Sequence, residues 1–433
     1  MNRNHRHDQI PAKRFNEIAP PSGPTDYKLF EPVEQSFDYA PDLLCLSHLR
    51  WDFVFQRPQH LMSRCAKERR VFFIEEPSFH NDTLAQLDLR MRESGVCVVV
   101  PRLPKGLSED EINSTLKLLM DELIASCRIR DYVLWYYTPM ALPFTKHLTP
   151  QAVVYDCMDE LSAFKGAPSC MRECEAELLS TADVVFTGGR SLYEAKRKQH
   201  RNIHMLASSI DAPHFVRARG LLEEPEDQVG IPHPKLGYCG VIDERMDVTL
   251  LDRVAEARPD WHLVLIGPVV KIDPSELPRR PNIHYLGGRD YRQLPAYLSG
   301  WDVALLPFAL NESTKFISPT KTPEYLAAGK PVVSTPIRDV VQPYGEKGLV
   351  RIAESHTDFI KAVEDCLKGE SCSSDWLARV DEMLAENSWD KTWMRMMKEI
   401  DLAVGARQSA LRARSQDLKH SAKGVGLGRT SKD

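Results

Sequence analysis

Several absences narrow the class of this chain before any motif is read. No stretch reaches the roughly 18 uninterrupted apolar residues that a bilayer-crossing helix needs. The first forty residues are polar and rich in Pro, His and Arg, with no apolar segment of the kind a secretory signal carries. A cytoplasmic protein is expected, with at most a peripheral contact to the inner membrane face. A charge of one sign is also missing: 56 Lys and Arg stand against 61 Asp and Glu, a formal net charge of -5. Such a balance gives no general attraction to nucleic acid. No Gly-x-Gly-x-x-Gly follows a strand-like run and no Walker loop occurs, so hydride transfer and phosphoryl transfer by those routes lose their main support. The ten cysteines are scattered, and Cys45, Cys97 and Cys239 sit inside apolar runs, as reduced buried thiols do. Cys170 and Cys174 lie four apart without a second pair at zinc-finger spacing, so no metal site is expected. Nor is there a repeat at solenoid spacing.

What the chain does have is regular alternation. Its 433 residues, 42% hydrophobic, suffice for two ordinary cores. Short β-branched runs alternate with longer helical patterns, which predicts parallel sheets covered by helices on both faces. Strands are predicted at 42–46, 71–75, 96–100, 132–136, 152–155, 183–187 and 203–206, and a second series at 235–239, 262–266, 283–286, 302–306, 331–334 and 349–351. Between the series, 215–234 is charged and proline-punctuated and reads as a linker. The expected organisation is an N-terminal tail (1–38), a first Rossmann-like domain (39–214), the linker, a second Rossmann-like domain (235–385), a crossover helix (386–404) and a disordered basic tail (405–433). Two doubly wound sheets joined in this way bring their carboxyl edges to one cleft.

The most informative string is Ser318-Pro-Thr-Lys-Thr-Pro-Glu-Tyr-Leu-Ala-Ala-Gly-Lys-Pro-Val-Val-Ser334. Thr322 suits a helix N-cap, Pro323 the first helical position and Gly329 the left-handed C-terminal turn. Glu324 then sits at a helix start beyond a strand, where a carboxylate can accept both hydroxyls of a ribose. The free amides of the first turn and the Lys321 ammonium face a diphosphate. Taken singly, Glu324 could merely favour the helix dipole and Lys321 could be a solvated surface charge.

The whole string resembles the donor-site segment of GT-B glycosyltransferases, especially the retaining family four (glycosyl transferases group 1) and its bacterial relatives. Gly237-Tyr-Cys-Gly-Val-Ile-Asp-Glu-Arg-Met-Asp247 resembles the strand and glycine-led loop that open their second domain. Trp261 to Pro268 and Ile283 to Gly288 resemble the next two strands and their turns, and Ser388-Trp-Asp390 the segment where the closing helix crosses back. The resemblance implies two facing Rossmann-like domains and transfer of a sugar from a UDP- or GDP-linked donor, without cofactor or metal. The acceptor would be a glycan, a lipid-linked molecule or a small molecule. It implies donor contacts at Glu324, Lys321, Arg245, Gly240, Gly267, Ser318 and Thr320, with Arg245 and Lys321 stabilising the departing diphosphate. The sequence departs from the family where an earlier glutamate falls at Phe316. That carboxylate's sugar contact would pass to Asn311, Glu312 or the main-chain amides around Ile317 and Ser318, or the donor sugar differs.

On the acceptor side, the stretch from Leu43 to Ser63 follows a strand with a loop dense in polar and aromatic residues. Trp51 offers a stacking face for a sugar, Arg57 a contact for anionic groups, and His60 and Tyr137 further polar contacts. The alternative is that Trp51 and Phe55 fill the domain cleft while Arg57 neutralises a nearby helix C-terminus. Tyr155-Asp-Cys-Met-Asp-Glu160 places carboxylates at a sheet edge, and Asp159, then Asp156, is the candidate general base. An Asp there can equally cap the next helix. Thr187-Gly-Gly-Arg-Ser-Leu-Tyr-Glu194 predicts a strand-to-helix turn with Ser191 and Glu194 as a capping box, and glycines that let backbone come close to a ligand. An epimerase or hydrolase on the same frame, or a catalytically retired nucleotide-sugar-binding subunit, are the competing readings.

Overall fold

The computed structural model describes residues 40–369 and 373–425; the expected tail at 1–38 lies outside them. The first sheet is built from β1 (Asp42–Ser47), β2 (Val71–Glu75), β3 (Ser78–His80), β4 (Gln86–Met91), β5 (Val96–Pro104), β6 (Tyr132–Tyr136), β7 (Ala152–Cys157), β8 (Val184–Thr187) and β9 (Ile203–Met205). Its path runs β3-β5-β2-β1-β6-β7-β8-β9, parallel throughout, with β4 antiparallel on β5. The second sheet holds β10 (Lys235–Cys239), β11 (His262–Ile266), β12 (Ile283–Gly287), β13 (Val303–Leu306), β14 (Val332–Ser334) and β15 (Arg351–Ile352), ordered β12-β11-β10-β13-β14-β15. Numbered within its own half, that order is 3-2-1-4-5-6, the dinucleotide-fold winding, and it reverses direction beside β10. Ligands in such sheets bind beyond the strand ends at the reversal, here the loops after β10 and β13.

The central strands are buried on both faces, as Val-Phe-Phe-Ile and Ala-Val-Val-Tyr runs require. Sequence reading misses β3 and β4 because both lie at the partly exposed edge and carry no apolar run. The last strand lies two residues later than expected, with Val333 opposite Arg351.

Two expectations are corrected by packing. The stretch 215–234 is not a free linker: Phe215, Ala218 and Ile231 are buried in the second domain's core, and Arg219 Nε donates to the Ala327 carbonyl at 2.7 Å. Its charges and prolines hide three apolar anchors too widely spaced to show a period. The C-terminal helix (Trp389–Val425) crosses back to the first domain, where Trp389, Met396, Met397, Ile400 and Ala403 complete that domain's core. It does not give way to disorder at Gly405. The following Ala, Arg, Gln and Leu favour helix, and Arg407 Nη1 reaches Asp183 Oδ2 of the first domain at 2.6 Å. Among the described residues no helix is long and apolar enough to cross a membrane.

Candidate active site at the interdomain cleft

The second domain's share of the cleft starts where β10 ends. Gly240 N–H donates to the Ile266 carbonyl (2.8 Å) and Gly267 N–H to that of Gly287 (2.9 Å). Gly267 has φ +149°, and a Cβ there would lie 1.7 Å from the Gly240 oxygen. Gly267 is therefore explained by two turns lying directly on each other, whereas a Cβ at Gly240 would lie 2.7 Å from Tyr238 Oη. Beyond them Arg245 is held by Asp243: Nε at 2.9 and 3.1 Å from the two oxygens, Nη2 at 2.7 Å. Burial works against its charge, but the Asp243 carboxylate more than compensates and raises its pKa further. Ala309 N–H, on the segment after β13, donates to the Arg245 carbonyl at 2.8 Å, so the two loops flanking the reversal point are tied together.

The helix Lys321–Ala327 begins two residues earlier than expected, with Thr320 at the N-cap. Thr322, the expected cap, is fully buried inside the first turn, and its N–H donates to the Pro319 carbonyl at 3.1 Å. Pro323 remains within that turn, where the missing N–H is tolerated. The predicted end holds: Gly329 has φ +72°, and Lys330 N–H closes back on the Tyr325 carbonyl at 3.0 Å. Tyr325 Oη accepts from Cys239 N (2.7 Å) and donates to Cys239 O (3.2 Å), which clamps the helix onto the end of β10. Lys321 Nζ and Glu324 Oε2 consequently meet at 2.8 Å at the sheet edge, with Glu324 only 7% exposed. Burial opposes the Lys321 charge and Glu324 overcomes it, raising the ammonium's pKa.

The first domain divides its expected site residues into structural and cleft-facing groups. Asp156 and Arg57, 0% and 1% exposed, form a buried bidentate pair, with Arg57 Nε at 2.9 Å and Nη2 at 2.9 Å from the carboxylate. Arg57 also donates to the Leu206 carbonyl (2.8 Å) and lies against Met396 of the crossing helix. Both are buried away from the surface, and together they fasten β7 to the crossing helix. Trp51 is not a sugar platform either. Its ring meets Phe73 edge-on at 5.0 Å in the core, and its backbone N–H donates to Glu75. Tyr137 is buried beneath the cleft, next to Trp135. His60 stacks on Trp389 at 4.5 Å and meets Phe55 and Tyr291 edge-on. Burial, then the charges of Arg64, Lys321 and His214, push its pKa down to about 3. It is a neutral ring in the aromatic seam between domains rather than an acceptor contact.

Asp159 does face the other domain. Burial raises its carboxyl above the usual range, the Arg245 charge pulls it back, Asp243 adds to the rise and Lys271 opposes it. Beside it Phe164 lies across from two cations of the second domain, Arg245 Cζ at 5.5 Å and Lys271 Nζ at 4.9 Å from its ring centre. His48 and Glu76 also feel Lys271. Burial, then that charge, lowers His48 to about 4, while burial pushes Glu76 up to about 7 against Arg50 and Lys271. His48, Glu76, Phe164, Asp243 and Lys271 escaped sequence reading. They come from five separate loops, and only His48 and Asp243 lie inside strings that sequence reading selected.

The domains are closed on one another. Asp339 accepts from Ser191 N at 3.1 Å and from Ser191 Oγ, and Arg338 pairs with Glu194. The predicted Ser191–Glu194 capping box is thus replaced by partners from the other domain. Gly189 permits this: a Cβ there would lie 2.3 Å from Asp339 Oδ2 and 2.6 Å from Ser318 Cβ. Ser318 accordingly lies at the domain contact. At the family's missing carboxylate, Phe316 packs against the first domain's core. Asn311 Oδ1 is taken by Ser313 and Thr314 of its own turn, and the Glu312 side chain is 80% exposed beside Lys315.

Two facing Rossmann-like sheets, a crossing helix and a lysine–glutamate pair at the reversal edge define the GT-B class of glycosyltransferase. Residues 233–369 match the family described as Glycosyl transferases group 1. Over 306 residues the chain is 24% identical to the Bacillus subtilis (strain 168) protein named for teichuronic acid biosynthesis, glycosyltransferase TuaH, covering 65% of this chain and 75% of that one. Its fold is similar to sucrose-phosphate synthase from Thermosynechococcus elongatus (TM-score 0.63, 14% identity, 85% of this chain and 100% of that one). It is likewise similar to Anabaena HepE in complex with UDP and glucose (TM-score 0.57, 13% identity, 83% and 99%). These matches support the chain as a glycosyltransferase of the GT-B fold.

Proposed function

We propose that the cleft transfers a hexose from a UDP- or GDP-linked donor to a hydroxyl of a glycan or lipid-linked acceptor, without a metal ion. The observation that carries this reading is the buried Lys321–Glu324 pair at the start of its helix. With no donor bound, each neutralises the other. A nucleoside diphosphate offers a better partner to both, ribose hydroxyls for the carboxylate and phosphate oxygens for the ammonium and the free amides of the first turn. Arg245, fixed by Asp243 and turned toward Asp159, supplies the second positive charge. As the bond between the sugar's anomeric carbon and the diphosphate breaks, the electron pair stays on the phosphate oxygen between these cations. The acceptor oxygen forms the new bond, and its proton passes to Asp159, whose raised pKa suits a base. The UDP in the HepE complex supports the donor class. Met394 and Leu402 are exposed on the crossing helix, and the basic residues that follow support a peripheral contact with anionic lipid.

The test is a panel of UDP-, GDP- and ADP-sugars scored by thermal stabilisation, then by turnover with and without chelator. A donor at a hundredfold its dissociation constant adds roughly 2.7 kcal/mol. Lys321→Ala is expected to abolish the stabilisation. If no donor stabilises the protein, the assignment of this cleft fails; activity lost on chelation refutes metal independence; isomerised donor without acceptor would show an epimerase.

A further inference from the structure

We propose that Glu244 is the carboxylate that reads the hydroxyls of the transferred sugar, and that this sugar is an uncharged hexose. The inference rests on the nucleotide-sugar reading above. Both carboxylate oxygens of Glu244 are buried and accept no hydrogen bond from the described residues. A desolvated acceptor left unmade costs about 1–3 kcal/mol, and more when charged. Such a group persists in a folded chain where something outside the chain completes it.

Its position fits a sugar reader. Glu244 lies between Asp243 and Arg245 on the loop leaving β10, and Asn311 Nδ2 donates to its carbonyl at 3.1 Å. That bond joins the Glu244 loop to the segment that carries Phe316, where the family's own sugar-binding carboxylate is missing. Asn311 and Glu312 cannot replace it: the first is consumed by its turn and the second lies in solvent. Across the cleft, His48 Nδ1 is likewise buried without a hydrogen-bond partner among the described residues, and the Phe164 ring, partly exposed and facing Arg245 and Lys271, lies in the same cleft. Two unsatisfied polar groups beside an aromatic face fit several hydroxyls on one ring.

The charge count argues against an acidic sugar. Asp159, Asp243 and Glu244 face Arg245 and Lys271; Arg50 is committed to Glu75 at 2.9 Å; His48 is neutral. Three carboxylates against two cations leave no positive charge for a uronate, and a second anion in the cleft meets Glu244 head-on.

The experiment titrates the full-length protein with UDP, UDP-glucose and UDP-glucuronate, and with GDP and GDP-mannose as a second nucleotide set. Wild type is expected to bind the neutral hexose donor at least tenfold more tightly than the uronate. Glu244→Gln should weaken the hexose donor about ten- to a hundredfold, the worth of a hydrogen bond to a charged group, while leaving bare nucleotide affinity unchanged. That unchanged affinity also reports a folded protein. Glu244→Asp should fall between the two, and Glu312→Gln should match wild type. Normal UDP or GDP binding with no loss of the hexose donor in Glu244→Gln, or a preference for the uronate, overturns this inference alone. If neither nucleotide binds, the nucleotide-sugar reading falls and this inference with it.

Discussion

Asp156 and Asp159 are three residues apart and look alike in sequence, yet the structure assigns them opposite consequences on substitution. Asp156→Asn keeps the shape of the side chain and removes its charge, leaving the Arg57 guanidinium, 1% exposed, without its counter-ion. Breaking a buried pair by removing one partner costs about 3–5 kcal/mol. For a domain of this size each kcal/mol lowers the melting temperature by roughly 2–4 °C, so a fall of about 6–20 °C is expected. The guanidinium's remaining bonds, to the Leu206 carbonyl and the Met396 sulfur, are to uncharged acceptors and do not restore it. Asp159→Asn makes the opposite case. Its carboxylate is raised by burial and steadied by Arg245, so losing its negative charge should leave the melting temperature within about 2 °C. Turnover should fall about 10²–10⁴-fold, the range of a general base. Differential scanning fluorimetry and a donor-turnover assay on both variants decide the matter. A stable Asp156→Asn protein, or an Asp159→Asn protein that melts early with its turnover intact, refutes the division.

Other consequences follow from the same geometry. His60 binds its proton only near pH 3 when folded, against about 6.5 when unfolded. The unfolded chain therefore takes up a proton first as pH falls, and the stability that neutral His60 contributes is complete above pH 6.5 and is lost below it. Between pH 6.5 and 5 the loss is about 2 kcal/mol. His60→Phe, which keeps the stack on Trp389, should flatten denaturant midpoints over that range, and an unchanged slope rejects this account. His48 acts with the same sign, whereas Glu76, raised to about 7, contributes stability that is present below about 4.5 and lost as pH rises through 7. Gly189→Ala should force the domains apart at Asp339 and Ser318, which small-angle scattering would register as a larger radius of gyration and kinetics as a raised donor KM. Removing 405–433 loses the partly exposed Arg407–Asp183 pair and should cost under about 1 kcal/mol. Nucleotide binding should survive the truncation while sedimentation with anionic vesicles disappears; vesicle binding that persists excludes the tail as the contact.

The sheets were legible because buried parallel strands need unbroken apolar runs, and such runs stand out between helical patterns. The helix from Lys321 was legible because Pro, Gly and a following Pro punctuate it, although its start moved by two residues: several polar residues can cap a helix, and only packing chooses among them. Edge strands β3 and β4 carry no such signal. The apolar anchors Phe215, Ala218 and Ile231 were hidden in a charged stretch for the same reason.

The sequence by itself determined the alternation of strands and helices in both halves and the placing of Lys321 and Glu324 near one helix start, since both follow from spacing along a few consecutive residues. Only the tertiary structure decided which of two neighbouring aspartates is fastened to Arg57 and which meets Arg245. It alone showed that Trp51 belongs to a core and that Gly189 admits the opposite domain. Those outcomes depend on contacts between residues up to hundreds of positions apart, where desolvation and pairing are fixed by packing in three dimensions and leave no period in the chain.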